Sequence, residues 1–403
     1  MIEICKWKNN ADSPVLFFID DLANVWVDSN GNGQLDLGED WGYWKYSQGS
    51  SMRFLEEQLL KQFPEVKVTF FVPVGERVGM IKNPTIKSIS KKINSDQESI
   101  DFFRKVHEHP NYELAYHGTT HGIVGDTAKD FIQEWESYSS LEEALERIKE
   151  GKEIFKETVG EYPKGGKYCG YKSNEFSDDS IDKSGFLWWC RYWNRGIIDD
   201  PSCDIGGNDR NPITNFDIKY FGKNNVIDIP STVNGGLFND ILKPNYKSIK
   251  GIAKILLKPF LLKRKLSQID YLLKNNLIIS IQEHIAPSRD DGRIQTPNIF
   301  SDLDSLKYIF NYLKNKNVWY CTGTELADYV TIRDSIKINV IEENKFVLKK
   351  LKDISRVKNK EITISFNQSS KYKSVNTPLK SEIEICQGFC TIPVEEGIFH
   401  LCI

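Results

Sequence analysis

Three stretches carry the residues whose types and spacing could do chemistry. FFIDD at 17–21 is an apolar run that ends in Asp20 and Asp21. YELAYHGTTHGIV at 112–124 contains another, ending in His117, with His121 four residues later. Imidazole pairs and carboxylates delivered from strand ends are the raw material of a divalent-metal site. In such a site one aspartate can ligate the cation while its neighbour acts as a base. LIISIQEH at 277–284 ends in His284, whose pKa near neutrality suits general acid work. Taken singly, each has an ordinary reading: loop-start carboxylates cap backbone N–H groups, and a histidine behind a buried strand is usually a satisfied core residue.

Two further stretches suggest separate roles. DSNGNGQLDLGE at 28–39 sets Asp28, Asn30, Asn32, Gly33, Gln34 (through its carbonyl), Asp36 and Glu39 at positions 1, 3, 5, 6, 7, 9 and 12 of an EF-hand loop. Calcium is the cation that spacing takes; a polar, turn-rich insertion is the ordinary alternative. IKGIAKILLKPFLLKRKL at 249–266 mixes apolar residues with six Lys or Arg, as in a helix lying on an anionic membrane surface. The rival reading, which the interrupting Pro259 favours, is a crossover helix with a solvated basic face. Trp188, Trp189, Tyr192 and Trp193 could stack on sugar rings or simply fill the core.

The elements needed to position these groups follow from hydrophobic periodicity. Apolar runs of strand length occur at 15–19, 66–72, 112–116, 186–190, 226–229, 277–281 and 318–321. Between them lie helical patterns at 51–63, after a Ser95/Glu98 capping box, after a Ser140/Glu143 capping box, and from Ser301. Strand–helix alternation predicts parallel strands with helical crossovers, and in a barrel the strand ends converge on one face. Asp20, Asp21, His117 and His284 would all lie there. After residue 330 only short strands are predicted, so we expect a barrel over 1–330 and a small β-sandwich-like unit over 331–403.

The 403 residues, 40% hydrophobic and 27% charged, describe a globular protein with ample core. A net charge of −3 gives no support for nucleic-acid binding. No apolar run is long enough to span a bilayer, and the first residues lack the apolar core of a secretory signal, so a cytoplasmic location is expected. Eight scattered cysteines without a CxxC pair predict reduced, mostly buried thiols.

The order FFIDD, HGTTH, KGGKYCGY, WWCRYWN, ISIQEH resembles the motif order of the polysaccharide deacetylases of carbohydrate esterase family four, over roughly residues 5–330. That resemblance implies a distorted (β/α) barrel of seven or eight strands and a divalent metal, with zinc the expected ion. Asp21, His117 and His121 would be its ligands and Asp20 the general base. A backbone N–H near Tyr168 would help hold the oxyanion, His284 would protonate the departing amine, and Tyr171 and Trp193 would meet the glycan. Lys167 stands where the family has arginine, and Cys169 where it has proline. The aspartate that usually partners the histidine acid has no counterpart in WWCRYW. The implied function is N-deacetylation of a glycan or lipid-linked glycan precursor in surface polysaccharide biosynthesis. The departures favour an alternative, a non-catalytic glycan-binding protein on the same barrel.

Overall fold

The computed structural model describes residues 2–193, 212–367 and 371–403. Its main sheet has Ser13–Asp20 at the centre, with Val68–Val72 then Tyr112–Tyr116, Gly165–Lys167 and Trp188–Cys190 on one side and Ile279–His284 on the other, all parallel. One stretch of chain closes the sheet on itself. Val226–Asp228 pairs with Trp188–Cys190, and Val233–Asn234, just beyond, pairs with Ile279–His284. Between them Ser231 N–H donates to the Tyr192 carbonyl and Thr232 N–H to that of Ser280. The protein is thus a distorted (β/α) barrel followed by a small β-sandwich-like unit.

Side-chain alternation along the strands sets what faces the barrel interior. Leu16, Phe18, Phe71, Ala115, Trp188 and Ile278 share the inner core, whereas Val15, Phe17, Ile19, Phe70, Leu114, Ile279 and Ile281 pack outward against the helices. The same parity turns Asp20, His117, Gln282 and His284 inward at the C-terminal ends of their strands. Trp188 and Trp189 are fully buried, which excludes them as sugar platforms and assigns them to the core.

Several boundaries differ from expectation, for local reasons. The helix at 51–63 stops at Gln58, where a short 3-10 turn takes over. The helix Gln97–Glu108 is capped by Asp96, whose carboxylate accepts the Ser99 N–H, and not by Ser95. Ser140 caps Leu141–Val159 as read. The stretch 249–266 is two helices, Ile249–Leu256 and Lys258–Lys274, because Pro259 sits in the first turn of the second.

The C-terminal unit consists of a five-stranded and a three-stranded antiparallel sheet around one core that includes Phe346, Ile362, Ile364, Ile392 and Phe399. Ile2–Ile4, expected with the barrel, is instead an edge strand here, paired with Glu361–Phe366. The helix Gly323–Arg333 serves both units. Leu326, Ala327 and Val330 close the barrel floor, while Tyr329 and Ile332 enter the sandwich core. Seven cysteines are free thiols; Cys203 lies outside the described residues.

Candidate metal centre and catalytic site

The ends of four strands bring Asp20, Asp21, His117, Lys167 and His284 together, and the loop after Tyr116 adds His121. His117 Nδ1 is 3.0 Å from the Lys167 carbonyl, so that nitrogen carries the proton and the Nε2 lone pair faces the site. Asp21 Oδ1 is 3.1 Å from His121 Nε2 and 3.9 Å from His117 Nε2. Asp21 and His121 both adopt positive φ, 66° and 73°, a conformation non-glycine residues take only where the surroundings impose it.

Asp20 is held differently. Lys167, fully buried, places Nζ 2.5 Å from Asp20 Oδ2 and 2.6 Å from Gln282 Oε1, with the Tyr171 ring 4.1 Å away. The lysine thus grips through one point charge and a glutamine where an arginine would use its planar fork. Burial alone would raise the Asp20 carboxyl, but Lys167, His117 and His284 outweigh it and hold it below the usual range. Asp20 Oδ1 is buried without a hydrogen-bond partner, which leaves it free to accept a proton.

His284 Nε2 lies 3.8 Å from Asp20 Oδ2. Its Nδ1 meets the Pro297 carbonyl at 2.8 Å, and the Gln295 amide nitrogen sits 2.9 Å from Nε2. No carboxylate backs this imidazole through Nδ1. Asp228, at the end of Val226–Asp228, pairs with Arg191 at 3.1 Å. Burial lowers the His284 pKa despite the opposing pull of Asp20.

Tyr168 does not take its expected place. Its N–H donates to the Cys190 carbonyl at 3.3 Å, and its ring is buried between Trp135 and Trp189. The strand pairing that extends Trp188–Cys190 takes up the N–H of Tyr168 itself among the backbone donors near that position. Tyr171 and Trp193 do come together, ring centroids 6.0 Å apart, with Trp193 8% exposed and the Tyr171 hydroxyl 2.8 Å from Gln282 Oε1.

Four contributors escaped sequence reading. Arg77 donates to both oxygens of Asp21 at 3.3 Å and stacks on Trp41, holding the Asp21 carboxyl well below its usual range with His121 against the effect of burial. Glu134 accepts the N–H groups of Thr119, Thr120 and His121 at 2.7–2.9 Å, which fixes the HGTTH turn. Gln282 was legible as a polar residue two before His284 on the same strand face. Cys169, read only as a departure from proline, has its thiol grouped with His117 and His121, ligand atoms within 4.8 Å of one another.

The donor set fits a cation. Two imidazoles, a carboxylate and a nearby thiol converge, His117 is in the ligating tautomer, and His121 Nδ1 is a buried nitrogen with no protein partner. In the 28–39 loop, Asp28 accepts the N–H groups of Asn32 and Gly33, Glu39 accepts those of Ser29 and Asn30, and the side chains of Asn30 and Asn32 donate to Asp36. Among the described residues, no cationic side chain pairs with the buried Asp28 or Glu39.

No protein-family profile and no curated protein matches the chain. Among solved structures it is similar to a Mycobacterium smegmatis protein described as a polysaccharide deacetylase (13% identity, TM-score 0.44, 82% of this chain and 94% of that one). It is also similar to PuuE allantoinase (15%, 0.47, 81% and 92%). A third match is a Pseudomonas aeruginosa PAO1 protein described as a polysaccharide deacetylase (14%, 0.44, 81% and 93%). Polysaccharide deacetylases recur among its structural matches.

Proposed function

We propose that the protein is a metal-dependent hydrolase that removes an N-acetyl group from a glycan or glycan precursor, in surface polysaccharide biosynthesis. The observation that carries this reading is Asp20, anchored through Oδ2 with Oδ1 unpartnered, beside the set Asp21, His117 and His121 and within 4 Å of His284. Those three side chains would hold the ion, and their mixed nitrogen and oxygen donors suit zinc. A bound divalent ion supplies a Lewis acid for the amide carbonyl and lowers the pKa of water. Asp20 Oδ1 accepts a proton from the attacking water, and Lys167 keeps that carboxylate ionised and oriented. His284 Nε2 is the atom placed to pass a proton to the departing amine, once the Gln295 amide has moved aside. Water and amide are consumed, and acetate and a free amine leave. Tyr171 and Trp193, beside Lys167, would contact the sugar.

The second reading is a non-catalytic glycan-binding protein on the same barrel. It is favoured by the carbonyl, in place of a carboxylate, behind His284. Acetate release from N-acetylated oligosaccharides by zinc-loaded protein separates the two. The hydrolase reading expects release by the wild type, and unchanged zinc affinity without release for Asp20→Asn. Binding of zinc and glycan with no turnover on a broad panel of acylated sugars establishes the binding protein.

A further inference from the structure

The helix Ile249–Leu256 is amphipathic in the inverted sense. Its buried residue is Gly251; Ile249 is 87% exposed and Leu256 78%, and Ile252, Ile255, Leu257 and Phe260 are exposed as well. At 100° per residue within this helix, Ile249, Ile252 and Leu256 share one stripe, while Lys250 and Lys254 lie on the adjoining flank. The helix rests on the chain through the one position without a side chain. A Cβ on Gly251 would meet the Asn245 carbonyl oxygen at 1.8 Å, so the helix packs there too closely for any larger residue. The apolar stripe therefore faces out, and it is larger than a scatter of single exposed residues.

The charge pattern names what covers it. From 241 to 269 the sequence has eight Lys or Arg and no Asp or Glu, in a chain whose net charge is −3. Lys254 is tied to Asp240 and Lys243 to Asp304, while Lys247, Lys250, Lys263 and Arg264 are exposed. An apolar stripe flanked by a basic field matches acyl chains beneath anionic headgroups. No helix of the described residues is long and apolar enough to cross a membrane. The placement is also informative. Val233–Asn234 runs parallel to Ile279–His284 with Asn234 opposite Gln282, and Asp240, six residues beyond Asn234, pairs with Lys254, which ties Ile249–Leu256 to the side of the barrel where His284 ends its strand.

We propose that this surface docks the protein on an anionic lipid bilayer, with the mouth of the barrel brought toward the membrane. Docking stands on the surface alone and is independent of whether the site is catalytic. The test is co-sedimentation with phosphatidylcholine vesicles, plain or containing about one-third phosphatidylglycerol. The expected result is at least about tenfold stronger binding to the anionic vesicles, weakened by salt. Ile249→Glu/Leu256→Glu should abolish it with the melting temperature unchanged. Lys250→Glu/Lys263→Glu, which leaves the apolar stripe intact, should remove the preference for anionic lipid. Absence of vesicle binding, equal binding to both compositions, or self-association through the stripe in place of vesicle binding would each overturn the proposal.

Discussion

Lys167 Nζ contacts Asp20 Oδ2 at 2.5 Å in a position closed to solvent, and the same ammonium reaches Gln282. Lys167→Met would strand a buried carboxylate. Removing one partner of a buried ion pair costs about 3–5 kcal/mol, so a lower melting temperature and loss of acetate release are expected. Lys167→Met/Asp20→Asn, which removes both charges, should recover part of that stability without activity. A double variant no more stable than the single one would show that the pair is not coupled as described.

Glu134 should matter more than its place in the sequence suggests. Its carboxylate binds three consecutive N–H groups of the turn that presents His121. Glu134→Ala leaves those donors buried and unpaired, at a cost of about 3 kcal/mol or more. Zinc affinity, read by competition with a chromophoric chelator, should fall by roughly ten- to a hundredfold, as when groups supporting metal ligands are removed. Glu134→Gln keeps an acceptor and should lose less.

The reach and the limit of sequence reading come from the same geometry. Strand ends sufficed to bring Asp20, Asp21, His117 and His284 to one end of the barrel, because a buried parallel strand is an apolar run whose end is visible. Arg77 and Gln295 approach from loops and Glu134 from the short 3-10 helix Glu134–Glu136, and no period marks them. Gly165–Lys167 was hidden as a strand because glycine is a poor strand former. Tertiary packing reverses that: a Cβ at Gly165 or Gly166 would meet the ring of Trp188 or Trp189 within 2.3 Å, so those rings require glycine there. Nor can the sequence say that the Cys190 carbonyl takes the Tyr168 N–H.

Asp328 should make stability fall as pH rises. Its Oδ2 accepts the N–H groups of Lys358 and Asn359, its Oδ1 has no partner, and burial raises its pKa to about 6. With the folded pKa above the unfolded one, its contribution is complete below about pH 4 and is lost as pH passes through 6. Two pKa units correspond to a ceiling of about 3 kcal/mol. The melting temperature of Asp328→Asn, measured against wild type, should therefore rise between pH 5 and pH 8. A difference that stays constant with pH would contradict the assignment.

The 28–39 loop supplies a cation test separate from the barrel mouth. Buried Asp28 and Glu39, without cationic partners among the described residues, lead us to expect that millimolar calcium raises the wild-type melting temperature by a few degrees and that chelator reverses it. Asp28→Ala should lose this response. It should also lower the melting temperature in chelator, because Asp28 holds the Asn32 and Gly33 N–H groups without any ion. An identical calcium response in variant and wild type would show the loop to be a plain turn.

The pairing of Ile2–Ile4 with Ile364–Phe366 joins residues 360 to 364 positions apart. A contact of that sequence separation needs almost the whole chain before it can form, so it belongs to the last stage of folding. The small sheet is then a clasp that can close only after the barrel has brought the two ends near each other. A fragment ending at residue 330 would keep the strands that carry Asp20, His117, Lys167 and His284 yet leave Ile2, Ile4 and Tyr329 without their cover. Its weakness should be aggregation during synthesis and not a malformed site.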